Sequence, residues 1–296
     1  AGLDGSQSDA VSIISRATEI NAQLHAKEVR VVAGANRVAA DGSVSTLKGE
    51  GDAPKVAVDT GALGGMYANR IRLVSSETGL GVNLGDLNAR QGDITLSSAG
   101  KVVLKNTLAS GSTRVSAKEV TLTGDHKAGG NLTVSGQSVL TLDQAHIAAG
   151  NNLQLATNGT LTQNGGAFTA GTDTTLKANA LTQSADAQAG AGRNLAVNVA
   201  ENAALKGKNI AGQDATVNAK TLETGTQLTA SRHISLEASQ RAALNGSVVA
   251  GQQLSVKGGE LTQRGNVSAS DISLSGQALT QESSSRTSAS GNIALS

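Results

Sequence analysis

The chain contains no cysteine and no tryptophan, and it has one residue each of phenylalanine, tyrosine, methionine and proline. Without cysteine it cannot build a thiolate metal site, and it suits export through oxidising compartments, where stray disulfides would form. Aromatic side chains normally dominate core energetics, so the core must be built from Leu, Val, Ile and Ala. With almost no aromatic side chains to stack bases and a net charge of +1, nucleic-acid binding is not expected.

Charged residues make up only 16% of the chain, well below the usual quarter. The apolar residues are regularly spaced rather than scarce, which argues against disorder. No apolar run approaches the ~18 residues of a membrane-spanning helix. No signal peptide opens the chain, and its first residues, AGLDGSQSD, indicate the interior of a longer protein.

The sequence repeats with a period of about 20 residues, which is the signature of a solenoid. Residues 149–169 (AGNNLQLATNGTLTQNGGAFT) and 250–268 (AGQQLSVKGGELTQRGNVS) keep their leucines while the polar residues change. A less regular unit opens at Ala89. The regular units open on Ala-Gly or a similar pair at Ala109, Ala128, Ala149, Ala170, Ala191, Ala211, Ala230, Ala250, Ala269 and Ala289.

Each unit carries short apolar-polar-apolar triplets such as Leu153-Gln-Leu155 and Leu254-Ser-Val256, which indicate strands with one buried face. A second short strand follows, often as Leu-Thr-Gln at Leu161, Leu181, Leu261 and Leu279, and Gly, Asn and Ser cluster in the turns. The sequence lacks the apolar i, i+3, i+4 spacing of helical repeats, and the leucine-rich repeat motif does not recur. The pattern predicts an all-β parallel β-helix of two or three strands per coil, with residues 89–296 as its repeats.

Residues 1–88 do not follow the period. Strand-like runs occur at 11–14, 28–32, 55–58 and 71–74, and the polar, Gly-rich residues 39–54 predict an excursion from the main body. Two passages here, IISRATEINAQLHAKEVRVVAGAN (13–36) and VDTGALGGMYANRIRLVSSETGLGVNLGDL (58–87), resemble those of large two-partner secreted exoproteins, the filamentous haemagglutinins and the CdiA-like contact-dependent growth inhibition effectors. The most specific part is the Leu63–Tyr67 stretch with its flanks.

The resemblance implies a right-handed parallel β-helix, export through an outer-membrane two-partner secretion transporter, and a place on the bacterial cell surface, associated with the outer membrane. It divides the chain into the end of the secretion domain and transition region (1–88) and haemagglutinin-type repeats (89–296). The Asn-Pro-Asn-type signature of the early secretion domain is absent, as is any toxin or receptor-binding segment. We therefore interpret the chain as an internal fragment, expected to be monomeric.

The candidates for chemistry are few. None of the four histidines has metal-ligand spacing, and all four are expected to be solvated surface residues, although His126 and His146 lie 20 residues apart and could stack on adjacent coils as a two-histidine metal site. Parallel β-helices include polysaccharide lyases and hydrolases with gathered carboxylates, but here the sugar-stacking aromatics are missing. The histidines are His25, His126, His146 and His233, and the scattered carboxylates are Asp125, Asp143, Asp173, Asp186, Asp214, Glu223, Glu237 and Glu260.

Polar residues recur two or three positions after the Ala that opens a unit. A calcium-binding repeat would need Asp at a fixed offset, yet most units have Asn or Gln, so a turn or an Asn ladder is the favoured interpretation. The residues are Asn131, Asn152, Asp173, Asn194, Asp214, Gln253, Asp271 and Asn292.

Four other features have a structural interpretation. Gly190-Ala-Gly192 precedes no helix that could hold a phosphate, and Arg70 and Arg72 are expected to face solvent. Met66 and Tyr67 are expected to form a local plug against the first coils rather than a binding site. Four Asn-x-Ser/Thr sequons, expected by chance in such a chain, begin at Asn131, Asn158, Asn245 and Asn266.

No catalytic, metal-binding or cofactor-binding residue is therefore predicted. The leading hypothesis is a non-enzymatic stalk of a secreted surface exoprotein, an adhesin or growth-inhibition effector, that extends a distal receptor-binding or toxin region from the cell. A receptor on a target cell would be bound through regions outside these residues. The alternatives are an adhesion module that binds host glycans or proteins along the β-helix flank and a carbohydrate-active enzyme.

Overall fold

The computed structural model describes residues 2–61 and 63–296, which form strands, bends and turns and contain no helix. The chain divides into two compact units, one of residues up to Leu140 with Ala145–Ala149, and one of Thr141–Gln144 with Gly150–Ser296. Both are parallel β-solenoids with coils of roughly 20 residues, which confirms the predicted fold class. The predicted boundary at 88/89 separates the secretion domain from the repeats by function rather than by compactness, and it stays a prediction.

The second unit is the more regular of the two. Three strands make its first coil, and three strands of the next coil pair with them in parallel, at Leu153 with Thr174, Leu161 with Leu181 and Phe168 with Ala189. The strands are β16 Leu153–Thr157, β17 Thr160–Asn164, β18 Ala167–Ala170, β19 Thr174–Ala178, β20 Ala180–Gln183, β21 Gln188–Ala191, β22 Leu195–Val199, β23 Asn202–Leu205, β24 Lys208–Ala211, β25 Ala215–Thr224, β26 Gln227–Ala230, β27 His233–Leu244, β28 Ser247–Ala250, β29 Gln253–Gln263, β30 Asn266–Ala269, β31 Asp271–Gln281, β32 Arg286–Ala289 and β33 Ile293–Leu295.

The register of the strands explains why some residues of the repeat do not change from unit to unit. One inward column runs through the first strands, and its members from β16 to β31 are at most 2% exposed. A second inward column consists of the Ala that opens each unit, which lies at the end of the third strand. The first column is Leu153, Thr174, Leu195, Ala215, Ile234, Leu254 and Ile272, and the second runs Ala170, Ala191, Ala211, Ala230 and Ala250.

The first unit has the same coil with one interruption. Its strands are β1 Leu3–Gly5, β2 Val11–Ser15, β3 Thr18–Ile20, β4 Gln23–Ala26, β5 Glu28–Ala33, β6 Asn36–Val38, β7 Val44–Thr46, β8 Val56–Thr60, β9 Gly65–Ala68, β10 Arg70–Ser75, β11 Gly81–Ala89, β12 Ile94–Ser98, β13 Lys101–Ala109 and β14 Thr113–Ala128. Strand β15, Leu132–Ala149, contributes residues to both units. The four strand-like runs predicted before residue 88 correspond to β2, β5, β8 and β10.

The interruption is the predicted excursion. Val29 in β5 pairs with Ile71 in β10, 42 positions later, so about one coil length of chain is inserted between two neighbouring strands. Part of the insertion is the antiparallel hairpin of β6 and β7, which begins slightly before the predicted residue 39. Its return segment is held by Arg16, which donates to the carbonyl of Asp52 at 3.2 Å and forms an ion pair with Glu77 at 2.8 Å.

Candidate functional site

The positions of two histidines differ from the prediction. His126 is 2% exposed and lies inside the first unit, whereas His146 is exposed. Successive side chains of a strand point to opposite faces, and next to His146 the inward positions are Ala145 and Ile147, so His146 faces outward. The predicted surface position of His126 and its stacking with His146 are therefore both wrong. His233 is exposed, as predicted, and His25 is half-buried.

Hydrogen bonds fix the tautomer of His126. Its Nε2 lies 2.9 Å from the carbonyl oxygen of Thr123, which can only accept, so Nε2 carries the proton. Nδ1 then accepts from the hydroxyl of Thr107 at 3.0 Å. Burial lowers the pKa of His126 from 6.5 to about 4, and the Thr123 carbonyl and the Asp125 carboxylate oppose the shift only in part.

Acid is expected to destabilise the first unit through His126. The folded state holds this imidazole neutral with a lowered pKa, so the unfolded chain binds more protons between pH 6.5 and 4. The stability contributed by the neutral ring is present above pH 6.5 and falls by about 2 kcal/mol on going from pH 7 to 4.5. Urea titrations at both pH values check this.

The matched control for that titration is His126→Gln, which cannot gain the proton. All other ionisable groups are the same in the two proteins, so the difference between the two pH effects isolates the histidine. An equal loss of stability in the variant would contradict the assignment.

Four of the polar residues that recur after the opening Ala accept hydrogen bonds from the next coil. The Asn152 side-chain oxygen accepts from the backbone N–H of Asp173 at 3.3 Å, and the Asp173 carboxylate accepts from the N–H of Asn194 at 3.1 Å. Asp214 and Asp271 accept in the same way from His233 and Asn292, at 3.2 and 2.8 Å. This is the turn ladder that the sequence favoured over a calcium repeat.

Two of these carboxylates are also paired with arginines one coil further on. Arg193 binds Asp173 at 2.5 Å, and its hydrogen bond holds the pKa of that carboxyl below its ordinary value. Arg232 pairs with Asp214. Within residues 2–61 and 63–296 no group of three or more His, Asp or Glu side chains is arranged to hold a metal ion. The carboxylates of the turn thus link successive coils.

Buried glutamines in the second unit were not anticipated. In the Leu-Thr-Gln triplets the Gln lies on the same face as the Leu, so Gln163, Gln183 and Gln263 are inward and at most 2% exposed. Gln183 is at the centre of a network, because its Nε2 donates to Gln163 Oε1 and to Asn209 Oδ1, at 3.0 and 3.1 Å. The alternation by two that identified the strands could also have located these side chains.

The same column contains an unsatisfied hydroxyl. Thr224 pairs with Leu205 on one side and Leu244 on the other, is 1% exposed, and has no hydrogen-bond partner for its Oγ1 among the residues described. Thr224→Val removes a buried polar atom and keeps the shape, so it should raise the free energy of unfolding by about 1 kcal/mol.

Thr174→Val provides the control in a urea titration of both variants. The Thr174 hydroxyl donates to the carbonyl of Gly190 at 2.7 Å, and this side chain is fully buried. The valine leaves that carbonyl without its donor and should lower stability by about 1 kcal/mol. Two changes of the same sign would contradict the role assigned to Thr224.

Met66 and Tyr67 have different surroundings. Met66 is fully buried between Leu24 and Leu87 in register, so its side chain packs in the core of the first unit. Tyr67 points outward and stacks on the ring of His25 with centroids 5.2 Å apart. Burial and the neighbouring Asp86 carboxylate raise the pKa of its hydroxyl.

The remaining candidates lie on the surface or in strands. Arg70 and Arg72 are exposed, as predicted, and Gly190 lies within strand β21. Among the sequons, the Asn245 side chain donates to Glu223 and accepts from Arg264, so it links three successive coils. No segment described in the structure is a helix of the length and hydrophobicity needed to cross a bilayer.

Comparison with known proteins places these features in one family. Residues 1–104 match the TPS secretion domain, and residues 226–296 match the haemagglutinin repeat. The chain is 71% identical over its whole length to a 16S rRNA endonuclease CdiA of Enterobacter cloacae subsp. cloacae, of which it covers 8%. It is 55% identical over 74% of its length to a tRNA nuclease CdiA of Escherichia coli, of which it covers 7%. No solved structure matches it.

A chain that matches both a TPS secretion domain and a haemagglutinin repeat is a secreted, surface-exposed exoprotein. Within that class, the chain matches a fragment of CdiA-like proteins, which agrees with the resemblance of residues 13–36 and 58–87 to two-partner secreted exoproteins. It spans less than a tenth of the length of these curated relatives.

Proposed function

We propose that the chain is the stalk-forming segment of a large bacterial exoprotein and that it extends a distal receptor-binding or toxin region from the cell surface. The observation that supports this most directly is the first-strand column of the second unit, which is buried from Leu153 to Ile272 and continues in register to Ile293. Each coil buries its apolar residues only against its neighbours, so length can be added without a new core.

The proposal gives the two parts of the chain different tasks. Residues 1–88 would complete the secretion domain recognised by an outer-membrane transporter, and residues 89–296 would form the first part of the stalk. The mature protein would stay associated with the outer membrane, and the chain would act as a monomer. The receptor and any toxin would belong to parts of the protein beyond these residues.

We further propose that this segment is not catalytic. The named relatives are nucleases, but the chain corresponds to a small share of each. In this chain the histidine with the most perturbed pKa is buried and serves to pack a coil. Purified chain is expected to leave ribosomal and transfer RNA intact.

A deletion of two whole coils, which keeps the strands in register, tests the proposed stalk function. Leu195 and Ile234 occupy the same column two coils apart, so removal of residues 195–233 should rejoin matching strands and leave a cooperative fold. Because coils stack at about 4.8 Å, the second unit should shorten by about 10 Å. Spin labels at Asn158→Cys and Ser284→Cys, both exposed, measure that distance in a chain with no other cysteine.

The control removes residues 195–204, which is half a coil. This deletion puts unmatched strands together and should abolish cooperative unfolding in urea. If both deletions unfold the second unit, or if the in-register deletion leaves the label distance unchanged, the proposal fails.

A secretion assay tests the role proposed for residues 1–88. In cells that carry the cognate transporter, deletion of residues 2–88 should keep the protein inside the cell, whereas deletion of residues 195–233 should not. Loss of secretion in both cases would mean that the stalk and the secretion signal are not separable at 88/89.

A further inference from the structure

The second unit has a groove on its surface where the first strand of each coil bends into the second. The groove has a volume of about 580 Å³ and is lined by residues of five successive coils. Its floor is one column of the register, made of Ala219, Ala238, Gly258 and Gly276. With coils stacked at about 4.8 Å, the floor is about 15 Å long.

Coil stacking keeps part of the groove open at two glycines, one in the floor and one beside it. A Cβ on Gly276 would lie 2.8 Å from the carbonyl oxygen of Gly258, and a Cβ on Gly259 would lie 2.5 Å from that of Gln240. Backbone atoms cannot move aside as a flexible side chain can. These two positions therefore cannot carry a side chain that would fill the groove.

The walls of the groove carry groups of both charges. Along one side, Asn218, Glu237, Lys257 and Ser275 occupy one column in register. Glu237 and Lys257 are adjacent and exposed, yet in the part of the chain that the structure describes neither forms an ion pair. The carboxylate and the ammonium group therefore remain available to a ligand.

The shape and the side chains of the groove exclude several classes of ligand. An extended peptide would add to an open strand edge, but β27 already pairs with β25 and β29. A polyanion would need several unopposed cations, and the walls carry one acid and one base. None of the large exposed apolar side chains lines the groove, which disfavours a lipid.

A hydroxyl-rich chain meets all of these conditions. Each sugar hydroxyl both donates and accepts hydrogen bonds, and the walls offer an acceptor in Glu237, donors in Lys257, and both in Asn218 and Gln277. The C–H faces of the sugar rings would lie on the Ala and Gly floor. Small-molecule sites have similar volumes and combine an apolar surface with a few placed polar groups.

We propose that this groove binds a neutral, unbranched oligosaccharide of a few units, oriented by Glu237 and Lys257. The inference is independent of the stalk function, because it concerns only the outer surface of the coils. It gives the haemagglutinin repeats a ligand of their own in addition to the distance that they span.

Calorimetric titration of the full 296-residue chain with maltohexaose, cellohexaose and chitohexaose tests the proposal. At least one should bind with a Kd below about 1 mM, and Glu237→Ala/Lys257→Ala should weaken it at least tenfold. The matched control is Lys101→Ala/Glu119→Ala, a facing pair of opposite charge in the first unit, which should leave the Kd unchanged. Equal thermal unfolding of both double variants verifies that they fold.

Three results would overturn the assignment. One is the absence of binding to all three neutral hexasaccharides. Another is equal weakening by both double variants, or by neither. The third is tighter binding of hexagalacturonate, an acidic chain of the same length, which would show that charge rather than hydroxyl groups is recognised.

Discussion

Gln183→Ala is expected to lower the free energy of unfolding of the second unit by about 4 kcal/mol. The side chain is 1% exposed, and besides its two donated bonds its Oε1 accepts from the backbone N–H of Gly207 and from Asn209 Nδ2, both at 2.9 Å. Alanine leaves these buried groups without partners, at about 1–3 kcal/mol for each unsatisfied group, and creates a cavity. Urea unfolding followed by circular dichroism measures the loss.

Gln281→Ala is the matched control, since Gln281 ends the same Leu-Thr-Gln triplet and pairs in register with Gln263. Gln281 is exposed, and its amide donates to Thr287 at 3.2 Å. Its replacement should cost less than about 1 kcal/mol. Similar losses in the two variants would show that the buried network adds nothing beyond a surface amide.

Gly246→Ala should also remove about 4 kcal/mol or more, and it should do so by a different route. A Cβ at this position would lie 1.3 Å from the carbonyl oxygen of Gly225 in the preceding coil. The coils would have to separate to accept it, and the bonds between neighbouring strands would break with them. Overpacking ordinarily costs about 1–3 kcal/mol, and a clash between backbone atoms exceeds that range.

Gly190→Ala measures the cost of the same substitution without the clash. Its Cβ would meet a methyl group of Thr169 at 3.2 Å, and that side chain can rotate. We expect a change below about 1 kcal/mol in the same urea titration. If the two alanine variants are equally stable, the close approach at Gly246 does not determine the coil spacing.

Much of the fold could be predicted because every coil of a solenoid is subject to the same packing constraint. An inward Leu in one coil must match its neighbours in the next, so Leu153, Leu195 and Leu254 recur while outward residues change. The Ala that marks each unit pairs in register with the Ala of the next coil at the end of the third strand. Repetition of this kind converts a tertiary contact into a pattern along the sequence.

The exceptions occur where a polar residue takes an inward position and finds a partner from another coil. His126 depends on a hydroxyl 19 positions earlier, and Gln183 on an amide 26 positions later. Neither contact follows from composition or from local alternation. The groove was equally hidden, because it arises from the bend between two strands and from backbone contacts at Gly259 and Gly276.

The hairpin of β6 and β7 has a practical consequence. The ladder passes directly from Val29 to Ile71, so the hairpin tip around Gly42 takes no part in the pairing of one coil with the next. An epitope or fluorophore grafted there would be displayed without shifting the register of any strand. The molecule therefore has an attachment point from which its export and its position on a living cell can be followed.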